Sequence, residues 1–190
     1  MGAEGAHIKG REGVFMAKSW LESTTRFQIH FTVYDSEAQV TLPLADGRTK
    51  AFDMRGLHIQ DDGRTNRCPL YVEVKNCDTE GGQGQQYEQY LRDCYLAAAK
   101  QRQDGVDQET EFMWLTWHPF SLGKWSRLCT EEELRSALTS LDEALVDEDL
   151  IRALPARLWL VVLSRRQQEM TMGDRLLGEI RRILTAGEAL

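Results

Sequence analysis

Two hydrophobic periods run along the chain, and their order predicts its layout. RFQIHFTVY (26–34) sets Phe27, Ile29, Phe31 and Val33 against Gln28, His30, Thr32 and Tyr34, the alternation of a half-buried strand. QVTLPL (39–44) repeats it with Val40, Leu42 and Leu44, and Pro43 marks an edge or a strand end. Asp46-Gly47 is a hairpin turn. RTKAFDMR (48–55) reads as the returning strand, with Phe52 and Met54 on one face and Ala51, Asp53 and Arg55 on the other. HIQDDGRTNR reads as a polar loop. On CPLYVEVKN (68–76), Leu70, Val72 and Val74 alternate with Tyr71, Glu73 and Lys75. EFMWLTWHPF (111–120) and ARLWLVVLSRR (156–166) are dense apolar runs suited to buried strands.

The 3.6-residue period fills the gaps. GREGVFMAKSWLES (10–23) carries a Val14, Ala17, Leu21 stripe flanked by Phe15 and Trp20. QQYEQYLRDCYLAAAKQ (85–101) lines up Tyr87, Tyr90, Leu91, Cys94 and Ala98 as a face packed on a sheet. Thr130 followed by Glu133 is a capping box opening another helix, and MGDRLLGEIRRILT (172–185) closes the chain as a helix. The order is one helix, four strands, then helix, strand, helix, strand, helix. It predicts an α/β fold: a mixed central sheet with helices on both faces, a three-layer α/β/α core. At 190 residues the chain fits one domain. We expect a core over about 10–120 and a helix–strand–helix extension over about 130–186.

Glu73 and Lys75 share a side of an otherwise apolar strand, where charge is rare unless paired or functional. Asp53 lies on the strand expected before it, and consecutive strands are usually neighbours. If the register permits, two carboxylates and an ammonium converge. Close carboxylates resist ionising unless a cation joins them. Hard oxygen donors suit Mg²⁺, which takes one or two carboxylates plus waters and phosphate oxygens. A neighbouring lysine can position a water and stabilise charge on a phosphate. The plain alternative is an ordinary cross-strand arrangement on an uncovered sheet face.

Asp53, then nineteen residues, then Glu73-Val74-Lys75, resembles the signature of the PD-(D/E)XK nuclease superfamily. The element order is similar to that family's restriction-endonuclease-like core. Glu12 in Gly-Arg-Glu-Gly resembles the first-helix glutamate of the Mrr-like and archaeal Holliday-junction-resolvase branches. Its bland reading is a glutamate favouring the helix dipole. Gln86 and Tyr90, four apart on the next helix, resemble the Q-x-x-x-Y of the RecB-like branch; Gln85 and Gln89 leave the glutamine open by a turn. Both are otherwise plain surface and core residues. Phe52, not proline, precedes Asp53.

The resemblance implies a Mg²⁺-dependent nuclease, Mn²⁺ substituting, that hydrolyses phosphodiester bonds of nucleic acid, DNA foremost, in a bacterial defence or repair complex. It implies Asp53, Glu73, the Val74 carbonyl and Glu12 as metal ligands. Lys75 would handle the attacking water, with Gln86 and Tyr90 supporting. The alternative is a catalytically silent nucleic-acid-binding or scaffolding domain of the same fold.

Charge qualifies this picture. The formal net charge is −7, so any nucleic-acid contact must be local, not a broadly basic coat. Much of the acid lies in TEEELRSALTSLDEALVDEDL, a solvated face or a docking surface for a basic partner. A homodimer or a helicase or ATPase partner subunit is expected. Arg165, Arg166, Arg181 and Arg182 are candidate phosphate contacts or a solvated edge. The four cysteines lack CxxC spacing and read as reduced thiols, and the four histidines lack metal-ligand spacing. TEGGQG lacks the Gly-Lys-Ser/Thr of a nucleotide loop. With a polar opening segment and no membrane-length apolar run, a cytoplasmic protein away from membranes is expected.

Overall fold

A computed structural model describes residues 3–59, 67–79, 81–106 and 108–187. Its first helix, α1 (Ala3–Thr24), begins well before the apolar stripe requires. β1 (Phe27–Thr32) follows and stops where Asp35 Oδ2 accepts from both Thr32 N and Thr32 Oγ1 at 2.8 Å. The next residues form one helical turn, α2 (Glu37–Val40), so the strand expected from Gln39 starts later. β2 (Thr41–Pro43) and β3 (Thr49–Ala51) make the Asp46-Gly47 hairpin. Gly47 sits at φ 85°, which glycine reaches without strain.

The hairpin is a separate two-stranded sheet, so RTKAFDMR is not one strand. The chain bends at Phe52 and Asp53 and resumes as β4 (Met54–Ile59). Phe52 and Met54 were expected on one face, yet they enter opposite cores. The bend resets the two-residue period, as any one-residue slip must. His58 and Ile59 belong to β4 rather than to a loop. The rest of that expected loop, 60–66, lies outside the described residues.

β5 (Arg67–Lys75), α3 (Gln83–Gln103) and β6 (Glu111–Thr116) follow. Then come α4 (Glu131–Ala137), α5 (Glu148–Ala153), β7 (Leu158–Val162) and α6 (Asp174–Gly187). The main sheet has the order β1-β4-β5-β6-β7, antiparallel through β5 and parallel from β5 to β7. α1 covers one face, with Val14, Ala17 and Leu21 against Leu70, Val72, Val74, Met113 and Leu115. α3, α4, α5 and the hairpin cover the other, around Tyr71, Phe112 and Trp114. Each large side chain buried this way contributes about 1.5–3 kcal/mol. The fold is therefore the expected α/β one, a mixed five-stranded sheet between two helical layers.

Two glycines set how closely elements approach. A Cβ on Gly56 would lie 2.0 Å from Gln28 O, where β1 carries a bulge between Ile29 and Phe31. A Cβ on Gly13 would lie 2.6 Å from Asn76 Cβ, so glycine lets α1 press on the end of β5. The acidic segment forms α4 and α5. Thr130 Oγ1 caps α4, accepting from Glu133 N at 3.4 Å. Leu134, Ala137, Leu150 and Ile151 turn inward, while Glu131 and Glu148 both pair with Arg135 outside. No helix among the described residues is long and apolar enough to cross a membrane.

Candidate active site

The site forms where β4 leaves β5, at the carboxyl end of β5. Met54 pairs with Val72, and Asp53, in the bend, bonds to that same residue: Asp53 N donates to Val72 O at 3.0 Å. Val33 N donates to Asp53 O at 2.8 Å, pinning the Asp53 backbone from the β1 side as well. Beyond this point the chain turns away to the hairpin, and the next β5 donor, Val74 N, loses its ladder partner. Asp53 supplies the replacement: Val74 N donates to Asp53 Oδ2 at 2.7 Å. A backbone donor leaving a ladder must find another acceptor, and here that need fixes a carboxylate.

Glu73 is 8 % exposed, on the face that Tyr71 presents to α3. Both its oxygens are occupied. Lys75 Nζ donates to Oε1 at 2.8 Å, and Lys50 Nζ lies 3.0 Å from Oε2. Lys75 sits over the Trp114 ring at 5.3 Å, and Lys50 over the Phe52 ring at 5.4 Å. Burial, and after it the charge of Glu73, pushes the Asp53 carboxyl up to about 6, against the Val74 hydrogen bond and the two lysines. Burial also works against the charge on Lys50, but the charge and hydrogen bond of Glu73 outweigh it and leave Lys50 raised.

Lys75 thus bonds to Glu73, as the alternation of β5 allows, and Asp53 lies within range of the charges of both. Lys50 joins them without having been expected. The Val74 carbonyl shares a strand edge with its N–H, because Lys75 O points the other way, to Trp117 N on the β6 side at 3.3 Å. Glu12 is exposed on α1 beside Arg11 and makes no hydrogen bond or ion pair with Asp53, Glu73 or Lys75. Arg11 lies over Phe15 and Tyr34, at 5.6 and 5.7 Å. Tyr34 borders the site: burial first, and then the charge of Asp53, raises its hydroxyl pKa.

Gln86 is exposed on the first turns of α3 and does not touch Lys75. Tyr90 is buried, its ring 5.2 Å from Trp114, so it supports the ring beneath Lys75. The glutamine that α3 turns inward is Gln83, at 1 % exposure. Gln83 Oε1 accepts from Thr116 Oγ1 at 2.8 Å, and Gln83 Nε2 donates to His118 O at 3.1 Å. The Thr116 hydroxyl also lies 3.1 Å from Lys75 O. Gln83 therefore ties the ends of β5 and β6 together under the site. It is four residues before Tyr87, so the same Q-x-x-x-Y spacing could have found it.

Among the arginines, Arg165 pairs with Asp78 at 3.0 Å, Arg166 and Arg182 are exposed, and the Arg181 side chain lies outside the described residues. Among the described residues no cysteine forms a disulfide.

No group of three His, Cys, Asp or Glu that could hold a metal occurs among the described residues. The oxygen donors present are two carboxylates and a backbone carbonyl. That set fits a Mg²⁺ that keeps several waters, not an all-protein cage. Comparison with protein-family models, curated proteins and solved structures gives no match.

Proposed function

We propose that this chain is a Mg²⁺-dependent phosphodiesterase acting on nucleic acid, DNA foremost, in the cytoplasm and as part of a larger assembly. The observation that carries this reading is the meeting of Asp53, Glu73 and Lys75 at one strand end, with the Asp53 carboxyl held near neutrality. A carboxyl displaced this far from 3.8 by burial and a like charge marks a functional-site candidate. The resemblance to the PD-(D/E)XK signature supports the same reading.

Asp53 and Glu73 would hold the cation, with the Val74 carbonyl as a third oxygen. A bound divalent cation supplies Lewis acidity and screens the charge of the scissile phosphate. Lys75, fixed between Glu73 and the Trp114 ring, donates hydrogen bonds to the attacking water and to a non-bridging phosphate oxygen. Tyr90 holds Trp114 in place, and Gln83 holds the backbone that presents Lys75. Glu12 and Gln86 are exposed and would act only on bound substrate, Gln86 at a phosphate.

The test is cleavage of linear, circular and single-stranded DNA by the purified full chain with Mg²⁺ or Mn²⁺, with EDTA as control. Glu73→Gln and Lys75→Met should each lower the rate at least about 100-fold while circular dichroism stays unchanged. Undiminished cleavage by either variant refutes the assignment. The second reading is a silent domain of this fold that binds nucleic acid or a partner. The full pairing of Glu73 with two lysines favours it, since such a cluster is also a structural ion-pair network. DNA binding without cleavage, unaffected by Glu73→Gln, would select it.

A further inference from the structure

Lys50 makes the candidate site electrically closed. Asp53 and Glu73 bring two negative charges when ionised, and Lys50 and Lys75 bring two positive ones. Neither Glu73 oxygen is left without an ammonium. A divalent cation taking a Glu73 oxygen would sit within a few ångströms of an ammonium already bound there, and like charges at that range repel strongly in a half-buried site. That repulsion favours the release of one lysine.

The two lysines differ in how firmly they are held. Lys75 belongs to β5 itself. Its carbonyl is anchored by Trp117 N at 3.3 Å and Thr116 Oγ1 at 3.1 Å, and its ammonium lies over a fully buried indole. Lys50 arrives from outside the main sheet, on a hairpin of three residue pairs that rests on α3 through Leu44 and the bond from Ala45 N to Leu96 O. A second carboxylate also acts on it. Asp93 on α3, 6 % exposed, already attracts Lys50. Asp93 Oδ1 takes Gln89 Nε2 at 2.8 Å and Arg48 Nη2 at 3.3 Å, while among the described residues no hydrogen bond uses Oδ2.

We propose that Lys50 is a resident counter-ion of the two-carboxylate site, displaced by a divalent cation from Glu73 toward Asp93. This rests on the metal-dependent reading above. Lys50 neutralises Glu73 while the cation is absent, and its release couples cation binding to the β2–β3 hairpin. Asp93 keeps the released ammonium from being stranded in a half-buried position.

The experiment is calorimetric titration of Mn²⁺ into the full chain, with Asp53→Asn, which must abolish the heat, locating binding at this site. Lys50→Met should bind Mn²⁺ at least about tenfold more tightly than the wild type. Lys50→Arg, which keeps the charge, should stay within about threefold of it. Asp93→Asn should weaken binding about three- to tenfold, and this loss should vanish when Lys50→Met is added. Melting curves establish that each variant is folded. Wild-type binding with no gain in folded Lys50→Met overturns the displacement alone. A loss in Asp93→Asn that persists without Lys50 overturns the hand-over. No Mn²⁺ binding by either folded wild type or Lys50→Met overturns the metal reading itself.

Discussion

Replacing Asp53 by asparagine should stabilise the protein while destroying its candidate chemistry. Burial and the charge of Glu73 move the Asp53 carboxyl from an ordinary 3.8 to about 6. That displacement corresponds to about 3 kcal/mol of disadvantage for the ionised form in the folded chain. The direction in pH follows from the raised value. Between about 4 and 6 the folded chain holds a proton that the unfolded chain has released, so the wild type loses stability as pH rises through this window. Asparagine has the same shape, never ionises, and can still accept from Val74 N through Oδ1. In EDTA at pH 8, Asp53→Asn should therefore gain about 2–3 kcal/mol, or roughly 5–10 °C in Tm for a chain of this size. Toward pH 3 the gain should vanish, because the wild-type carboxyl is then largely neutral in both states. Urea unfolding followed by tryptophan fluorescence at several pH values measures it, and the difference between the two proteins cancels the titrating groups that do not feel the Asp53 charge. An asparagine variant less stable at pH 8, or a gain of equal size at pH 4 and pH 8, would refute the electrostatic account of the site.

Two further comparisons test the scaffold. Gly56→Ala should destabilise by more than about 3 kcal/mol, because its Cβ would lie 2.0 Å from a main-chain oxygen in a paired strand. Gly13→Ala, whose nearest obstacle is Asn76 Cβ, one bond from the main chain, should cost about 1–3 kcal/mol once the better helix propensity of alanine is counted; thermal melts rank the two. Gln83→Leu should cost about 1–3 kcal/mol in urea unfolding by removing two buried hydrogen bonds, with the Thr116 hydroxyl and the His118 carbonyl. Gln86→Ala should stay within about 0.5 kcal/mol of the wild type in the same assay, and the opposite ranking would mean that the wrong glutamine has been placed under the site.

Much of the fold was legible because each long element repeats one period without interruption. The β5 alternation put Leu70, Val72 and Val74 toward α1 and Tyr71, Glu73 and Lys75 toward α3, and each helical stripe found its sheet face. The segment around Phe52 was not legible for the opposite reason. Thr49 to Arg55 alternates acceptably as a single strand, and nothing in it announces that half will pair with β2 in a separate sheet. The cause is tertiary: Phe52 gains more by entering the core with Tyr71 and Phe112 than by keeping the face it would share with Met54. Local pattern cannot weigh a destination it does not contain.

The candidate site divides along the same line. Glu73 and Lys75 needed only the period of one strand, and Asp53 needed only that its strand pair with the next. Asp53 still comes within range of the Glu73 charge although the strand breaks there, because the pairing of Met54 with Val72 and the bond from Asp53 N to Val72 O set its position. Gln83 was present in the spacing, but choosing it over Gln86 required knowing which side of α3 turns inward. Lys50 was out of reach, since a continuous strand would have sent it away from Asp53, and only the departure of the hairpin brings it to Glu73. The residue hardest to read is thus the one that balances the charge. A reading built from Asp53, Glu73 and Lys75 alone describes a site with an excess negative charge waiting for a metal. With Lys50 included the same site is neutral, and cation binding becomes an exchange between a metal and an ammonium rather than the filling of a vacant seat.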